Sequence, residues 1–316
     1  MRPRMAKLLV AGAGAIGSVF GGFLANAGHD VLLLGRAQHM EAVEREGLEI
    51  RGIWGRHRCS SLRTATAPGE WNHSFDAVLL TVKSYDTASL APLVPRWLKP
   101  QGYVISLQNG LGNLEALAQH VPAERVLGGR VIFGAVVSAP GVVDVTVCAE
   151  PVRIGAFVPS APEAETAVRH WVATISAAGI AALPCDSIIA ELWSKAFYNA
   201  ALNPLGALLR RTYGELAAHP ETRAVMNLII AEAFEVARAE GVPLQWGSAA
   251  EYQEHFYQRL VPPTANHRSS MLQDLARGKR TEIDAINGEI WRRGERFGVS
   301  TTANALLTRL IRAATS

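Results

Sequence analysis

A chain of 316 residues, 49% hydrophobic and 19% charged, has an ordinary globular composition and enough length for two domains. Its 31 basic and 28 acidic residues are interspersed and leave a net charge of +3, which points to no nucleic acid and no membrane as partner while leaving room for a local basic site for an acidic ligand. Cys59, Cys148 and Cys185 are far apart, with no CxxC pair and no Cys/His cluster, which argues against a disulfide framework and a zinc site and fits a cytoplasmic protein.

The N-terminal MRPRMAKLLVAGAGAIG reads as the start of the fold rather than a signal peptide, because its apolar run is short and breaks into glycines. No uninterrupted apolar stretch of about 20 residues is present to span a bilayer. Residues 7–11 (KLLVA) predict a strand, GAGAIG follows at 12–17, residues 18–27 predict a helix closed by Gly28, and 31–34 (VLLL) a second strand. A bare GxGxxG is weak, but one that leaves a strand, opens a helix and precedes another strand is a dinucleotide-binding turn. Gly12 permits the tight turn, Gly14 lets the backbone approach a pyrophosphate, and Gly17 lets the helix pack on the strand. Backbone N–H groups at the helix start, Ala15 and Ile16 included, face the anion. Where an NAD-binding unit usually carries Asp or Glu after the second strand, this chain has Gly35-Arg36. A guanidinium pairs with a 2′-phosphate that a carboxylate would repel, so the expected cofactor is NADP(H); the alternative is a surface arginine.

A short helix is predicted at 41–46 and a pair of strand-like runs at 48–60. The apolar runs 77–82 (AVLLTV) and 103–107 (YVISL) predict buried parallel strands, ending in Lys83 and in Gln108-Asn109-Gly110. Ligands of open α/β sheets bind beyond the carboxyl ends of the strands, and the glycine turn, Arg36, Lys83 and Asn109 all stand at such ends. Residues 126–154 alternate strand-like segments around Pro140-Gly141 and predict antiparallel strands appended to the sheet. From 163 onward the pattern is helical, at 163–178, 189–209, 220–240, 249–259, 269–277, 282–297 and 302–313, with a linker at 159–163 and a brief strand near Leu183. The expected fold class is therefore α/β, with an N-terminal Rossmann domain (1–185) followed by an all-α C-terminal domain (186–316).

The predicted helix 189–209 carries Lys195, Asn199 and Asn203 four residues apart, which at about 3.6 residues per turn puts them on one stripe. Ala196, Phe197, Ala200, Ala201 and Leu202 between them are apolar, so the stripe faces a substrate, an interhelical hydrogen-bond network or solvent. The apolar run 225–236 (VMNLIIAEAFEV) is either core or the face of a homodimer.

These features resemble the ketopantoate reductase (2-dehydropantoate 2-reductase) family over nearly the whole chain. The resemblance rests on the conjunction of GAGAIG at 12–17, Arg36, TVK at 81–83, QNG at 108–110, Lys195 with Asn199 and Asn203-Pro204, SSMLQD at 269–274 and TEIDAING at 281–288. It implies a Rossmann domain for NADPH, a helical C-terminal domain and an active site in the cleft between them, with a small-molecule 2-keto acid as substrate. It further implies that Lys195 is the general acid, that Asn199 and Asn203 hold the substrate, and that Ser270 meets its carboxylate. Glu282 joins Lys195 in catalysis, contacting the hydroxyl end of the substrate and the cofactor, while Lys83 and Asn109 line the nicotinamide side, Asn109 also reaching the substrate. Singly, each has a structural reading: Ser269-Ser270 as a helix cap, Glu282 as a first-turn carboxylate, Asn109 as a plain turn.

One departure bears on substrate. The family commonly carries Asn-Gly-Glu-Leu where this chain has Tyr213-Gly214-Glu215-Leu216. The implied function is NADPH-dependent reduction of ketopantoate to pantoate on the route to pantothenate, with reduction of another branched 2-keto acid, or a catalytically idle NADP-binding protein, as alternatives. Intact Lys195 and Glu282 count against idleness.

Overall fold

The computed structural model describes residues 5–315. The chain forms two compact units: one runs to Gln108 and resumes at Asn113–Ile188, the other comprises Asn109–Gly112 and Ile189 onward.

The first unit contains strands β1 (Lys7–Ala11), β2 (Asp30–Leu34), β3 (Leu48–Gly52), β4 (His57–Cys59), β5 (Arg63–Ala65), β6 (Phe75–Leu80), β7 (Leu98–Ser106), β8 (Val126–Arg130), β9 (Phe133–Ala139), β10 (Val142–Cys148), β11 (Val152–Ala156) and β12 (Ala182–Pro184). Its main sheet has the order β12-β11-β8-β7-β6-β1-β2-β5. Its pairs are parallel apart from β11 against β8. Leu8, Leu9 and Val10 of β1 and Val78, Leu79 and Leu80 of β6 are all buried, as continuous apolar strands covered on both faces must be. Helix α1 (Ala15–Asn26) carries the chain from β1 to β2 on one side, and the chain later returns to β6 on the other. The carboxyl end of β1 is thus the topological switch point, where open α/β sheets bind ligands.

Residues 126–154 depart from the expectation of strands appended to one sheet. Strands β8 and β11 do join the main sheet, but β9 and β10 leave it to build a second sheet, β4-β3-β10-β9. The reason is α1, which is apolar around most of its circumference and needs cover on two sides. A Cβ on Gly21 would lie 2.4 Å from Leu33 Cδ2, and one on Gly22 would lie 2.7 Å from Ile50 Cδ1, so the helix sits tight against both sheets. Phe133 of β9 completes the cover, 5.8 Å from Phe20 and 4.8 Å from Trp54 between ring centroids. The remaining helices of this unit are α2 (Ala37–Glu46), which starts four residues before the predicted one, the short α3 (Thr87–Leu90), α4 (Val94–Trp97) and α5 (Asn113–Ala118), and α6 (Ala164–Ala177).

The second unit is helical: α7 (Ile188–Leu209), α8 (Tyr213–Ala218), α9 (Pro220–Ala239), α10 (Ala249–His255), α11 (Ser270–Ala276), α12 (Asn287–Phe297) and α13 (Thr302–Ala314). Trp193 and Phe197 of α7, Phe234 of α9, Tyr252 and Phe256 form its fully buried centre. Most of the apolar run on α9 is core: Met226, Ile229, Ile230, Ala233, Phe234 and Val236 are buried, while Val225 and Leu228 are exposed.

Three local outcomes differ from the periodic pattern. Helix α8 was not foreseen, although Thr212-x-x-Glu215 is a capping box: Thr212 Oγ1 accepts from Glu215 N at 3.3 Å and Glu215 Oε2 from Thr212 N at 2.8 Å. Helix α10 ends at His255 and continues as a π turn over Phe256–Leu260. Residues 282–297 are not one helix, because a 3₁₀ turn at Ile283–Ala285 is separated from α12 by Ile286 at φ −105°, ψ −98°. Among the described residues no helix is long and apolar enough to cross a membrane, and no cluster of His, Cys, Asp and Glu is arranged to hold a metal ion.

Candidate active site

The switch point of the main sheet is closed by the glycine turn. Gly12 has φ +111°, and a Cβ there would lie 2.3 Å from Val82 N, so neither the dihedral nor the space admits a side chain. A Cβ on Gly17 would lie 2.4 Å from Gly12 O and 2.5 Å from Thr81 Oγ1, which lets α1 start directly against the turn. Thr81 fastens the turn to the end of β6 by donating to Gly12 O at 2.9 Å. Gly14 differs: a Cβ there would meet nothing closer than 4.0 Å, and the residue is exposed. It is the N-cap of α1 and makes no side-chain cap, so the N–H groups of Ala15, Ile16 and Gly17 are the orphan donors of the first turn. Open space over uncapped N–H groups at a positive helix end fits a pyrophosphate.

Arg36 is exposed at the N-cap of α2, directly after β2 and Gly35. Its guanidinium makes no ion pair among the described residues, whereas Arg63 on neighbouring β5 is paired with Asp30 at 2.9 Å. Lys83, half-buried, is the N-cap of the 3₁₀ turn Ser84–Asp86 after β6. Gln108, which the sequence marks only as the start of QNG, has a structural role here. It is buried, donates through Nε2 to Val82 O at 3.0 Å and to Thr87 Oγ1 at 2.7 Å, and accepts from Ser106 Oγ at 3.0 Å, so it clamps the ends of β6 and β7 together.

In the helical unit, α7 presents Lys195, Asn199 and Asn203 from a helix buried on most other positions. Half-buried Lys195 donates from Nζ to Asn109 Oδ1 at 2.5 Å. Asn109 is held by the residues after it: Gly110 adopts φ +84°, a Cβ there would strike Ala285 O at 2.5 Å, and Leu111 N donates to that same oxygen at 2.8 Å. Segment Asn109–Gly112 therefore lies on the 3₁₀ turn that Glu282 introduces. Glu282 is only 7% exposed and stands just before that turn, not on the first turn of a long helix.

Asn199 is 7% exposed, and its carboxamide has no hydrogen-bond partner among the described residues. Neither of its polar atoms is fully sealed from solvent, so the carboxamide keeps its hydrogen-bonding capacity for water or a ligand. Asn203, 5% exposed, accepts at Oδ1 from the Tyr213 hydroxyl at 2.7 Å. Burial, with a smaller contribution from Tyr198, holds the Tyr213 phenol far above the ordinary tyrosine value, so it stays protonated and donates. The sequence does not announce the Tyr213–Asn203 hydrogen bond; its one local trace is the capping box Thr212-x-x-Glu215, which starts a helix at Tyr213 and so turns the chain back ten residues after Asn203. Of the serine pair, buried Ser269 is the cap of α11: Oγ accepts from Leu272 N at 3.0 Å and donates to Asn203 O at 3.2 Å. Ser270 is exposed at the first position of α11, tethered to α7 through its neighbour.

A stripe carrying an ammonium and carboxamides has the chemistry to meet an oxygen-rich anion, and an uncapped helix start has the chemistry to meet a phosphate. The family description "Ketopantoate reductase PanE/ApbA" matches residues 8–159, and its C-terminal counterpart matches 187–315. The chain is 38% identical over 307 residues to the 2-dehydropantoate 2-reductase of Aquifex aeolicus, covering 97% of this chain and 96% of that one. Among solved structures, a PanE/ApbA family ketopantoate reductase from Ralstonia eutropha JMP134 matches with a TM-score of 0.86 at 33% identity, covering 98% of each chain. The ternary structure of D-mandelate dehydrogenase with NADH and anilino(oxo)acetate matches with a TM-score of 0.88 at 27% identity, again covering 98% of each. This chain belongs to the ketopantoate reductase family.

Proposed function

We propose that the protein reduces 2-dehydropantoate to pantoate with NADPH, with Lys195 as the general acid. The observation that carries this reading is the α7 stripe: an ammonium fixed by Asn109 stands in line with the buried, unpartnered carboxamide of Asn199. When bound, a reduced nicotinamide supplies hydride to the 2-keto carbon. Charge then develops on the keto oxygen, and Lys195 both stabilises it and delivers the proton that makes the hydroxyl, regaining one from water. Asn109 occupies one of the three N–H directions of Lys195 and so orients the others. Asn199, the Nδ2 donors of Asn203, and the Ser270 hydroxyl hold the substrate oxygens, Ser270 at the carboxylate. Glu282 takes the substrate's hydroxyl end, and Lys83 lies on the nicotinamide side. NADP(H) rather than NAD(H) is supported by Arg36, a guanidinium without an ion pair among the described residues, at a strand end that lacks a carboxylate.

A second reading, reduction of another 2-keto acid, is favoured by Tyr213, which binds Asn203 where the family commonly has asparagine, and by the likeness to a D-mandelate dehydrogenase. A panel of 2-keto acids with NADPH and NADH decides between them. The first reading requires the highest kcat/KM for ketopantoate with NADPH, and one pantoate formed per NADPH oxidised. Another branched keto acid preferred by the wild type, with preference moving to ketopantoate in Tyr213→Asn, establishes the second.

A further inference from the structure

Pro204 lies inside α7, one residue beyond Asn203. Proline has no N–H, so the carbonyl four residues back, Ala200 O, loses its helical donor, and its position next to Asn199 puts that loss within the stripe. The missing donor arrives from another helix. Asn287, the first residue of α12 and fully buried, donates from Nδ2 to Ala200 O at 3.1 Å. The second hydrogen of the same amide goes to Asn304 Oδ1 at 3.0 Å. Asn304 is in turn fixed through its own Nδ2 to Glu232 Oε2 at 2.8 Å and to Ile229 O at 3.3 Å. The carboxylate of Glu232 also caps the start of α13, accepting from Ala303 N at 2.9 Å and Asn304 N at 3.0 Å. The orientation of the Asn287 amide is dictated chemically, since reversing it would set its oxygen against two other oxygens.

We infer that Asn287 is a positioning residue: it supplies the donor that Pro204 cannot, and so fixes the segment of α7 that sets Asn199 and Asn203 against the keto acid. This inference rests on the function proposed above. Lys195 lies upstream of the proline site, and the glycine turn and Arg36 belong to the other unit, so the effect falls on substrate KM rather than on kcat or NADPH affinity. The prediction is a coupling. Pro204→Ala restores an N–H for Ala200 O, after which Asn287 has no donor to replace.

The test is a double-mutant cycle with Asn287→Leu and Pro204→Ala, reading keto-acid KM, kcat, NADPH Kd and thermal midpoint. Asn287→Leu alone should raise KM about tenfold, the scale of a buried carbonyl deprived of its donor, with kcat and NADPH Kd held within about twofold. In the Pro204→Ala background the same substitution should change KM by less than about twofold. Equal KM losses in both backgrounds overturn the inference, as does a lowered thermal midpoint with KM unmoved. If the leucine variant does not fold, Asn287→Ser is taken through the same cycle with the same expectations. A wild-type protein that turns over no keto acid overturns the functional reading instead; the coupling is then judged on thermal midpoints, where equal losses in the two backgrounds refute it and a smaller loss with Pro204→Ala supports it.

Discussion

The glycine turn after β1 and the polar stripe of α7 are built by opposite means. In the turn the working groups are backbone N–H donors, and side chains are excluded by contacts as close as the 2.3 Å a Cβ on Gly12 would make. In the stripe the backbone is engaged within the helix or by structural side chains, and the working groups are side chains standing out of an apolar surface. The turn is therefore harmed by adding atoms and the stripe by removing them, and each failure should appear in a different constant: cofactor affinity for the turn, substrate KM or kcat for the stripe.

The sharpest attempt to break this contrast is Gly12→Ala. A side chain at φ +111° against Val82 should destabilise the first unit by about 3 kcal/mol and weaken NADPH binding, seen by thermal denaturation and fluorescence titration. An unperturbed variant would mean that the turn is not closed as described. Arg36→Ala should weaken NADPH binding by about 2 kcal/mol while leaving NADH affinity unchanged, because only the 2′-phosphate is lost as a partner. Equal losses for both cofactors would place Arg36 elsewhere in the binding scheme. Tyr213→Phe removes one hydroxyl from the Asn203 carboxamide and should raise keto-acid KM by about fivefold, near 1 kcal/mol, with NADPH Kd unmoved. The smallest effect is acid sensitivity. Burial lowers the pKa of His39 in the first unit, where its ring bonds Ser18 Oγ at 3.0 Å and Gly141 N at 2.9 Å. The unfolded chain then takes up this proton at a higher pH than the folded one, so the contribution is complete above about 6.5 and is lost as pH falls below it. His39→Gln should flatten that fall in denaturation curves taken across pH.

How much of this was legible in the sequence follows the same division. The turn was readable because a strand, three glycines and a helix are contiguous, and their spacing is the geometry. The stripe was readable as a stripe, because Lys195, Asn199 and Asn203 obey one period. What the stripe meets was not, since Asn109 lies 86 residues away and is placed by Gly110 and Leu111 against Ala285. The same holds for β9 and β10: their alternation identified strands, but the need to cover α1 on its second side decided which sheet they joined. Glu282 looked like the start of a helix because the apolar period continues past it, and Asn287-Gly288, directly after the break at Ile286, is taken into the first turn of α12. The Asn287 to Ala200 bond had one local trace, the proline within a helical period, which signals a missing donor without saying what replaces it.

Lys195→Ala, assayed for both keto-acid-dependent NADPH oxidation and NADPH binding, tests the central claim most directly. Ketopantoate turnover should fall about a thousandfold, as expected when a positioned general acid is removed, while NADPH Kd is unchanged. Turnover that survives the substitution, or a loss explained by failed NADPH binding, would contradict it.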